Sequence, residues 1–163
     1  MKNIRLTKKS DQKNIDLLLD EAFGPGRFAR SVYRYREQID FVDNFSYVYE
    51  NKGSLYASIS YCPIHINRNI TGLLLGPLTV KPKYKGKGYG VALVEFTLNL
   101  IEQKNNKFEF VMLVGDYNYY NRFNFKKVNN EFKFIGPVNS EKMLIKVFNS
   151  KINLDKFGKI IFS

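Results

Sequence analysis

Leu78-Thr79-Val80-Lys81-Pro82-Lys83-Tyr84-Lys85-Gly86-Lys87-Gly88-Tyr89-Gly90-Val91-Ala92-Leu93 is the most informative stretch of this 163-residue chain. Glycine stands at every second position from Gly86 to Gly90, so the backbone can turn sharply and approach a ligand without interference from Cβ atoms. Directly afterwards Val91, Leu93, Val94, Leu98 and Ile101 recur at helical spacing, and the glycines therefore open a helix. Unpaired N–H groups at a helix start face one way and reinforce the positive end of the helix dipole, an arrangement suited to a pyrophosphate. Lys81, Lys83, Lys85 and Lys87 crowd the same loop. Two familiar phosphate loops do not fit. Gly86-Lys87-Gly88-Tyr89 lacks the spacing and the hydroxyl of a P-loop. A dinucleotide fingerprint needs Gly-x-Gly-x-x-Gly in the first strand–helix unit, whereas this loop lies in mid-chain. Taken alone, the glycines would also suit a flexible strand-to-helix turn.

Working outward, residues 71–81 read as a strand interrupted by Gly76-Pro77; proline cannot donate a ladder hydrogen bond, so the dipeptide marks a bulge or a departure from the neighbouring strand. Residues 108–114 form a nearly continuous apolar run, the mark of a strand buried on both faces. Strand, glycine loop, helix and buried strand make a βαβ unit with an expected right-handed crossover. Before it, Tyr47-Val48-Tyr49, a turn at Asn51-Lys52-Gly53 and alternating residues 54–60 predict a hairpin, and a second turn falls at Asn67-Arg68-Asn69. Residues 3–6 predict a first strand. Ser10 is the candidate N-cap of a helix carrying Ile15, Leu18, Leu19, Ala22 and Phe23, which Gly24-Pro25-Gly26 stops. Phe28, Val32, Tyr35 and Ile39 predict a second helix, surrounded by Arg27, Arg30, Arg34 and Arg36. In the tail, residues 132–135 and 143–148 predict an antiparallel pair. With no repeat, low-complexity segment or shift in composition, the expectation is a single domain over residues 1–163, of α/β (α+β) class.

Lys and Arg number 26 against 15 Asp and Glu, a net charge of +11, which suits an anionic partner of some kind without naming one. General enrichment in Lys, Asn, Ile and Phe is an equally good source of the excess. At 44% hydrophobic and 25% charged residues, the chain is neither disordered nor fibrous in composition. Cys62 is the only cysteine, which excludes an internal disulfide and a cysteine-rich metal site and suits a reducing compartment. No apolar run approaches the ~20 residues of a membrane span, and none resembles a signal peptide, so a soluble cytoplasmic protein with no membrane partner is expected.

Lys85-Gly86-Lys87-Gly88-Tyr89-Gly90 resembles the [Arg/Gln]-x-x-Gly-x-[Gly/Ala] acetyl-CoA loop of the GNAT N-acetyltransferase superfamily, with Lys85 where Arg or Gln is usual. Leu74-Leu75-Gly76-Pro77-Leu78, Leu113-Val114-Gly115-Asp116 and Tyr119-Tyr120-Asn121-Arg122-Phe123-Asn124-Phe125 are similar to its YhbS-like branch. Ala22-Phe23-Gly24-Pro25-Gly26-Arg27-Phe28-Ala29-Arg30 resembles the N-terminal part of one subgroup. The resemblance implies a central mixed, twisted sheet of six or seven strands flanked by about four helices. It also implies that the strand ending at Val80 splays from the next parallel strand, with Gly76-Pro77 at the bulge.

Acetyl-CoA would lie in that gap. The resemblance assigns Leu78, Thr79 and Val80 to its pantetheine arm, with backbone groups of Leu78 and Val80 pairing as another strand would. It assigns Lys85, Gly86, Lys87, Gly88, Tyr89 and Gly90 to the pyrophosphate. Tyr120 takes the family position of the general acid, since a phenol with an ordinary pKa near ~10 keeps its proton at neutral pH and can give it to a thiolate. Asn124 replaces the usual glycine after it; asparagine is the residue best able to share glycine's left-handed conformation. Tyr119 and Tyr120 diverge by about 100° on a helix, so one of them faces the thiol. A packing role for Tyr120 is the competing reading. His65, Glu21 and Glu37 are candidates for a base, but water can carry the proton away and no residue is assigned. The arginines of residues 27–36 either line the acceptor side or form a solvated helix face.

The implied activity is acetyl transfer from acetyl-CoA to a primary amine, of a small molecule or a protein, by direct attack. No metal is expected, and a monomer or a homodimer would serve. The rivals are a basic nucleic-acid-binding module, an acetyltransferase acting on an RNA-borne acceptor such as charged tRNA, and a CoA-binding regulator without catalysis.

Overall fold

Side chains that alternate across the middle strands build two cores on the two faces of one sheet. The computed structural model describes residues 3–29, 45–103, 107–134 and 136–163. Leu73 and Val111 enter one core and Leu74 and Met112 the other, all without solvent exposure. The strands are β1 (Ile4–Leu6), β2 (Tyr47–Asn51), β3 (Ser54–Ile66), β4 (Ile70–Val80), β5 (Phe110–Val114), β6 (Lys126–Lys127), β7 (Phe132–Lys133), β8 (Met143–Val147) and β9 (Ile160–Ile161). Seven of them form a mixed sheet in the order β1-β2-β3-β4-β5-β8-β6, and β7 and β9 form a small second sheet. The α-helices among the described residues are α1 (Gln12–Phe23), α2 (Tyr89–Gln103) and α3 (Tyr117–Tyr120), and short 3-10 turns join several elements. The second helix expected from Phe28 to Ile39 falls largely in residues 30–44, outside the described residues.

The predicted hairpin forms, with Lys52 and Gly53 at φ 48° and 74°, the paired positive values of a type I′ turn. Its second strand runs past residue 60 to Ile66, where Asn67 and Arg68 make another left-handed turn at φ 49° and 65° into β4. Gly76-Pro77 forms the expected bulge: Ile59 opposes Leu78 and Tyr61 opposes Leu75, so Ser60 alone spans the dipeptide. α2 covers one face of the sheet with Leu93, Val94, Leu98 and Ile101, packed in one core with Tyr61, Leu73 and Leu113. Each such side chain contributes roughly 1.5–3 kcal/mol through burial.

Two expectations are corrected. Ser10 is exposed within a 3-10 turn and does not cap α1. Asp11 stands at that position, and its Oδ2 accepts from the Lys8 amide at 2.7 Å and from Arg5 Nη1 at 2.7 Å. Arg5 also reaches Glu50, so one guanidinium ties β1, the entry to α1 and β2 together. The hydrogen bond from Arg5 holds the Asp11 carboxyl below its ordinary range. In the tail, the strands expected at 132–135 and 143–148 do not pair with each other among the described residues. β8 lies antiparallel between β5 and β6, while β7 runs parallel to β9. Met143, Leu144 and Ile145 are all buried, and a run needing cover on both faces finds it inside the main sheet.

Candidate active site

β4 and β5 are the parallel neighbours of the main sheet, and they pair only from Gly72–Leu74 against Phe110–Met112. From Leu75 onward β4 stays on β3 and leaves β5, so a gap opens between the parallel strands. The ladder fixes which groups face it. Lys81 donates its amide to the Tyr56 carbonyl at 2.8 Å, and Thr79 opposes Ser58. Backbone groups alternate sides along an antiparallel strand. Those of Thr79 and Lys81 therefore turn to β3, and those of Leu78 and Val80 turn into the gap. The Thr79 side chain is 2% exposed, and its Oγ1 has no hydrogen-bond partner among the described residues.

The loop after β4 begins with a 3-10 turn, Pro82–Tyr84. Its turns use the amides of Tyr84 (to Lys81, 2.8 Å), Lys85 (to Pro82, 3.2 Å) and Lys87 (to Tyr84, 3.3 Å), and the Ala92 amide bonds to Gly88 at 2.9 Å. The amides of Gly86, Gly88, Tyr89 and Gly90 take no part in these turns. Gly86 and Gly88 lie at φ 78° and 84°, and a Cβ on either would meet nothing within 4 Å. The result is an open cradle of backbone donors rimmed by the exposed Lys83, Lys85 and Lys87. Its shape and charge fit a pyrophosphate. Gly90 is different: a Cβ there would stand 3.1 Å from Val80 Cγ2 and 3.1 Å from Tyr119 Oη.

α3 faces this region from beyond β5. Asp116 caps it by accepting from the Asn118 amide at 2.9 Å, and Asn124 closes the following turn in the left-handed conformation expected of it, at φ 64°. Tyr119 and Tyr120 diverge as helical spacing requires, their rings meeting edge-on at 4.8 Å. The Tyr119 hydroxyl reaches the start of α2, and burial raises its pKa above the ordinary phenol value. Tyr120 turns the other way. Its ring packs over Gly115, where a Cβ would come within 2.7 Å, and stands 5.8 Å from the Phe125 ring. Burial pushes the Tyr61 phenol well up, and the Tyr120 phenol adds a smaller push. Tyr61 Oη in turn lies 2.7 Å from Thr97 Oγ1, which donates to the Leu93 carbonyl.

The other candidates lie elsewhere. His65 opposes Thr71, at the end of β3 remote from Ala57 and Val80, and its amide bonds Ser163. Cys62 is buried in the core on the face away from α2. Glu21 is exposed on α1, and Glu37 lies outside the described residues. Arg27 is no solvated helix residue: it is 7% exposed and bonds Asp20 at 2.8 Å. Arg30, Arg34 and Arg36 lie outside the described residues. Among the described residues no cluster of His, Cys, Asp and Glu could hold a metal, and no helix is long and apolar enough to cross a membrane.

Sequence reasoning missed the side chains that support the loop. Tyr84 stacks on Tyr56 of β3 with ring centroids 4.0 Å apart. Tyr84 was visible within the motif, but only the β3–β4 register brings Tyr56 beside it.

The profile described as the acetyltransferase (GNAT) family matches residues 14–127. No curated protein matches the chain at a significant level. Among solved structures, the chain resembles the GNAT family N-acetyltransferase YhbS from Escherichia coli in complex with CoA, at 22% identity and a TM-score of 0.76, over 98% of this chain and 88% of that one. It also resembles a GNAT family acetyltransferase from Brucella melitensis in complex with acetyl-CoA, at 23% identity and a TM-score of 0.62, over 90% of this chain and 95% of that one. At these identities the likeness is one of fold.

Proposed function

The chain belongs to the GNAT acetyltransferase family, and from that premise we propose that it moves an acetyl group from acetyl-CoA to a primary amine by direct attack. The observation that carries this reading is the meeting of three features at one gap: the free β4 edge at Leu78 and Val80, the open Gly86–Gly90 cradle, and helix α3, whose Tyr119 hydroxyl reaches Gly90 and Val80. Acetyl-CoA supplies an activated thioester and a thiolate leaving group. Leu78 and Val80 would hold the pantetheine amides with their backbone groups, as a paired strand would. The amides of Gly86, Gly88, Tyr89 and Gly90 would bind the pyrophosphate, helped by Lys85 and Lys87. Exposed lysines each add about 1 kcal/mol or less, so the backbone is the main determinant.

Tyr120 is the residue to which we assign the proton. Its Oη would stand protonated at neutral pH and donate to the sulfur as the thiolate departs. No side chain is assigned as base; the amine loses its proton to water. The acceptor is an amine on a small molecule or a protein, and the single reduced Cys62 suits a cytoplasmic setting. The test is titration calorimetry with acetyl-CoA, followed by thiol-release assays over a panel of polyamines, amino acids and peptides. Binding that Gly88→Glu abolishes, with thiol release dependent on one class of amine, supports the reading. Absence of binding, or binding indifferent to Gly88→Glu, overturns it. Binding without thiol release for any amine would point to a regulator.

A further inference from the structure

Four half-buried tyrosines from four segments meet beside the glycine loop: Tyr49 on β2, Tyr56 on β3, Tyr84 in the 3-10 turn and Tyr89 at the first position of α2. We propose that Tyr84, seated on Tyr56 and closed against Tyr89, is a positioning residue that holds the loop in its anion-binding shape before the ligand arrives. The proposal rests on the reading of that loop as the pyrophosphate site.

The turn hydrogen bonds leave the glycines of the loop little support. Gly86 and Gly88 occupy left-handed backbone where even a Cβ would meet nothing within 4 Å, and glycine has the most conformational freedom to lose. A loop ordered only by its ligand weakens binding by the entropy of ordering, and supports fixed beforehand remove that loss. The described side chains supply supports at both ends of the segment. At the entry, the Tyr84 and Tyr56 rings stack at 4.0 Å and 29°. At the exit, the Tyr89 ring lies 4.6 Å from Tyr49 and 5.3 Å from Tyr56. Tyr84 and Tyr89 then meet edge-to-face at 5.9 Å and 87°, clipping the two ends of the segment together. The Tyr84 backbone is also the hub of the turn, donating to Lys81 and accepting from Lys87. Lys83 Nζ and Lys87 Nζ stand 4.9 and 5.6 Å from the Tyr84 ring centroid, so the same ring gathers two ammonium groups at the mouth of the cradle.

The clamp is tested with Tyr84→Ala, Tyr84→Phe and Tyr56→Ala, using residue-resolved amide exchange of the free proteins and calorimetry with CoA. Tyr84→Ala should speed exchange of the amides of Gly86 to Gly90 about tenfold while leaving β4 and β5 unchanged, and should weaken CoA roughly five- to tenfold, the scale of a lost ring pair. Tyr56→Ala should do the same, and Tyr84→Phe, which keeps the stacked ring but loses the hydrogen bond between the two phenols, should change both by less than Tyr84→Ala does. Loop exchange unchanged in Tyr84→Ala overturns the proposal; so does exchange that quickens equally in β4 and β5, which would make the ring a general structural support. If the wild-type protein does not bind CoA, the exchange measurement still decides the clamp, and the reading of the ligand is what falls.

Discussion

The Tyr119 hydroxyl and the Gly90 α-carbon stand so close that a methyl group on residue 90 would lie 3.1 Å from Tyr119 Oη. The same methyl would lie 3.1 Å from Val80 Cγ2, so the start of α2, the free edge of β4 and helix α3 converge on one point. Tyr119 can swing its phenol aside, but Val80 is β-branched and stiff at χ1, so its methyl yields less readily. Gly90→Ala should therefore act on the β4 edge more than on the fold. Alanine's better helix propensity, about 1 kcal/mol, offsets the crowding, and the thermal midpoint should stay within about 3 °C. CoA affinity should fall roughly fivefold, as calorimetry would show. An unchanged affinity would mean that the β4 edge does not contact the ligand.

Gly88 makes the contrasting case. Space for a methyl is open there, but φ is 84°, a conformation that costs a side-chain-bearing residue about 1–2 kcal/mol. Gly88→Ala should relax the loop away from that conformation and weaken CoA about tenfold with little change in melting temperature. Gly88→Asn, which tolerates left-handed backbone, should recover most of the affinity. Equal losses for Ala and Asn would locate the effect in bulk instead of backbone angle.

Asp11 links stability to pH. Its folded carboxyl is held below the ordinary value by the hydrogen bond from Arg5, so the contribution is present above the unfolded pKa near ~4. It is lost as pH falls from there through the folded value, because the protonated acid no longer accepts from a guanidinium with full charge. Asp11→Asn should lower unfolding free energy by about 1.5 kcal/mol at pH 7. The difference should shrink progressively as pH is lowered from about 4 through the folded value. Urea unfolding at pH 7 and along an acid series measures it, and a pH-independent difference would refute the ion pair as the cause.

What the sequence made legible follows from where local rules apply. Gly76-Pro77 and Asn51-Lys52-Gly53 announced a bulge and a hairpin because proline and glycine restrict or release the backbone whatever surrounds them. The cradle was legible for the same reason, and Asn124 took the left-handed turn expected of it. The tail was not legible: Met143, Leu144 and Ile145 need two covered faces, and only the completed sheet shows that β5 and β6 provide the edges. Ser10 was misassigned because Asp11, one residue later, gains both the Lys8 amide and Arg5, a partner supplied by tertiary contact. The loop clamp escaped because Tyr56 and Tyr84 are 28 residues apart and meet only through the β3–β4 register.

Tyr120 and Tyr119 can be separated by kinetics. Tyr119 points its hydroxyl to the start of α2, beside Gly90, Val80 and Leu78. Tyr120 packs its ring over Gly115 and beside Phe125. If Tyr120 gives its proton to the departing sulfur, its hydroxyl matters only once charge develops there. Tyr120→Phe should then lower kcat about 10²-fold or more while leaving the KM for acetyl-CoA within about a factor of two. Tyr119→Phe should do the reverse, raising KM a few-fold with kcat nearly intact. If both variants lose only affinity, neither phenol is the acid, and Tyr120 is a packing residue between α3 and the sheet.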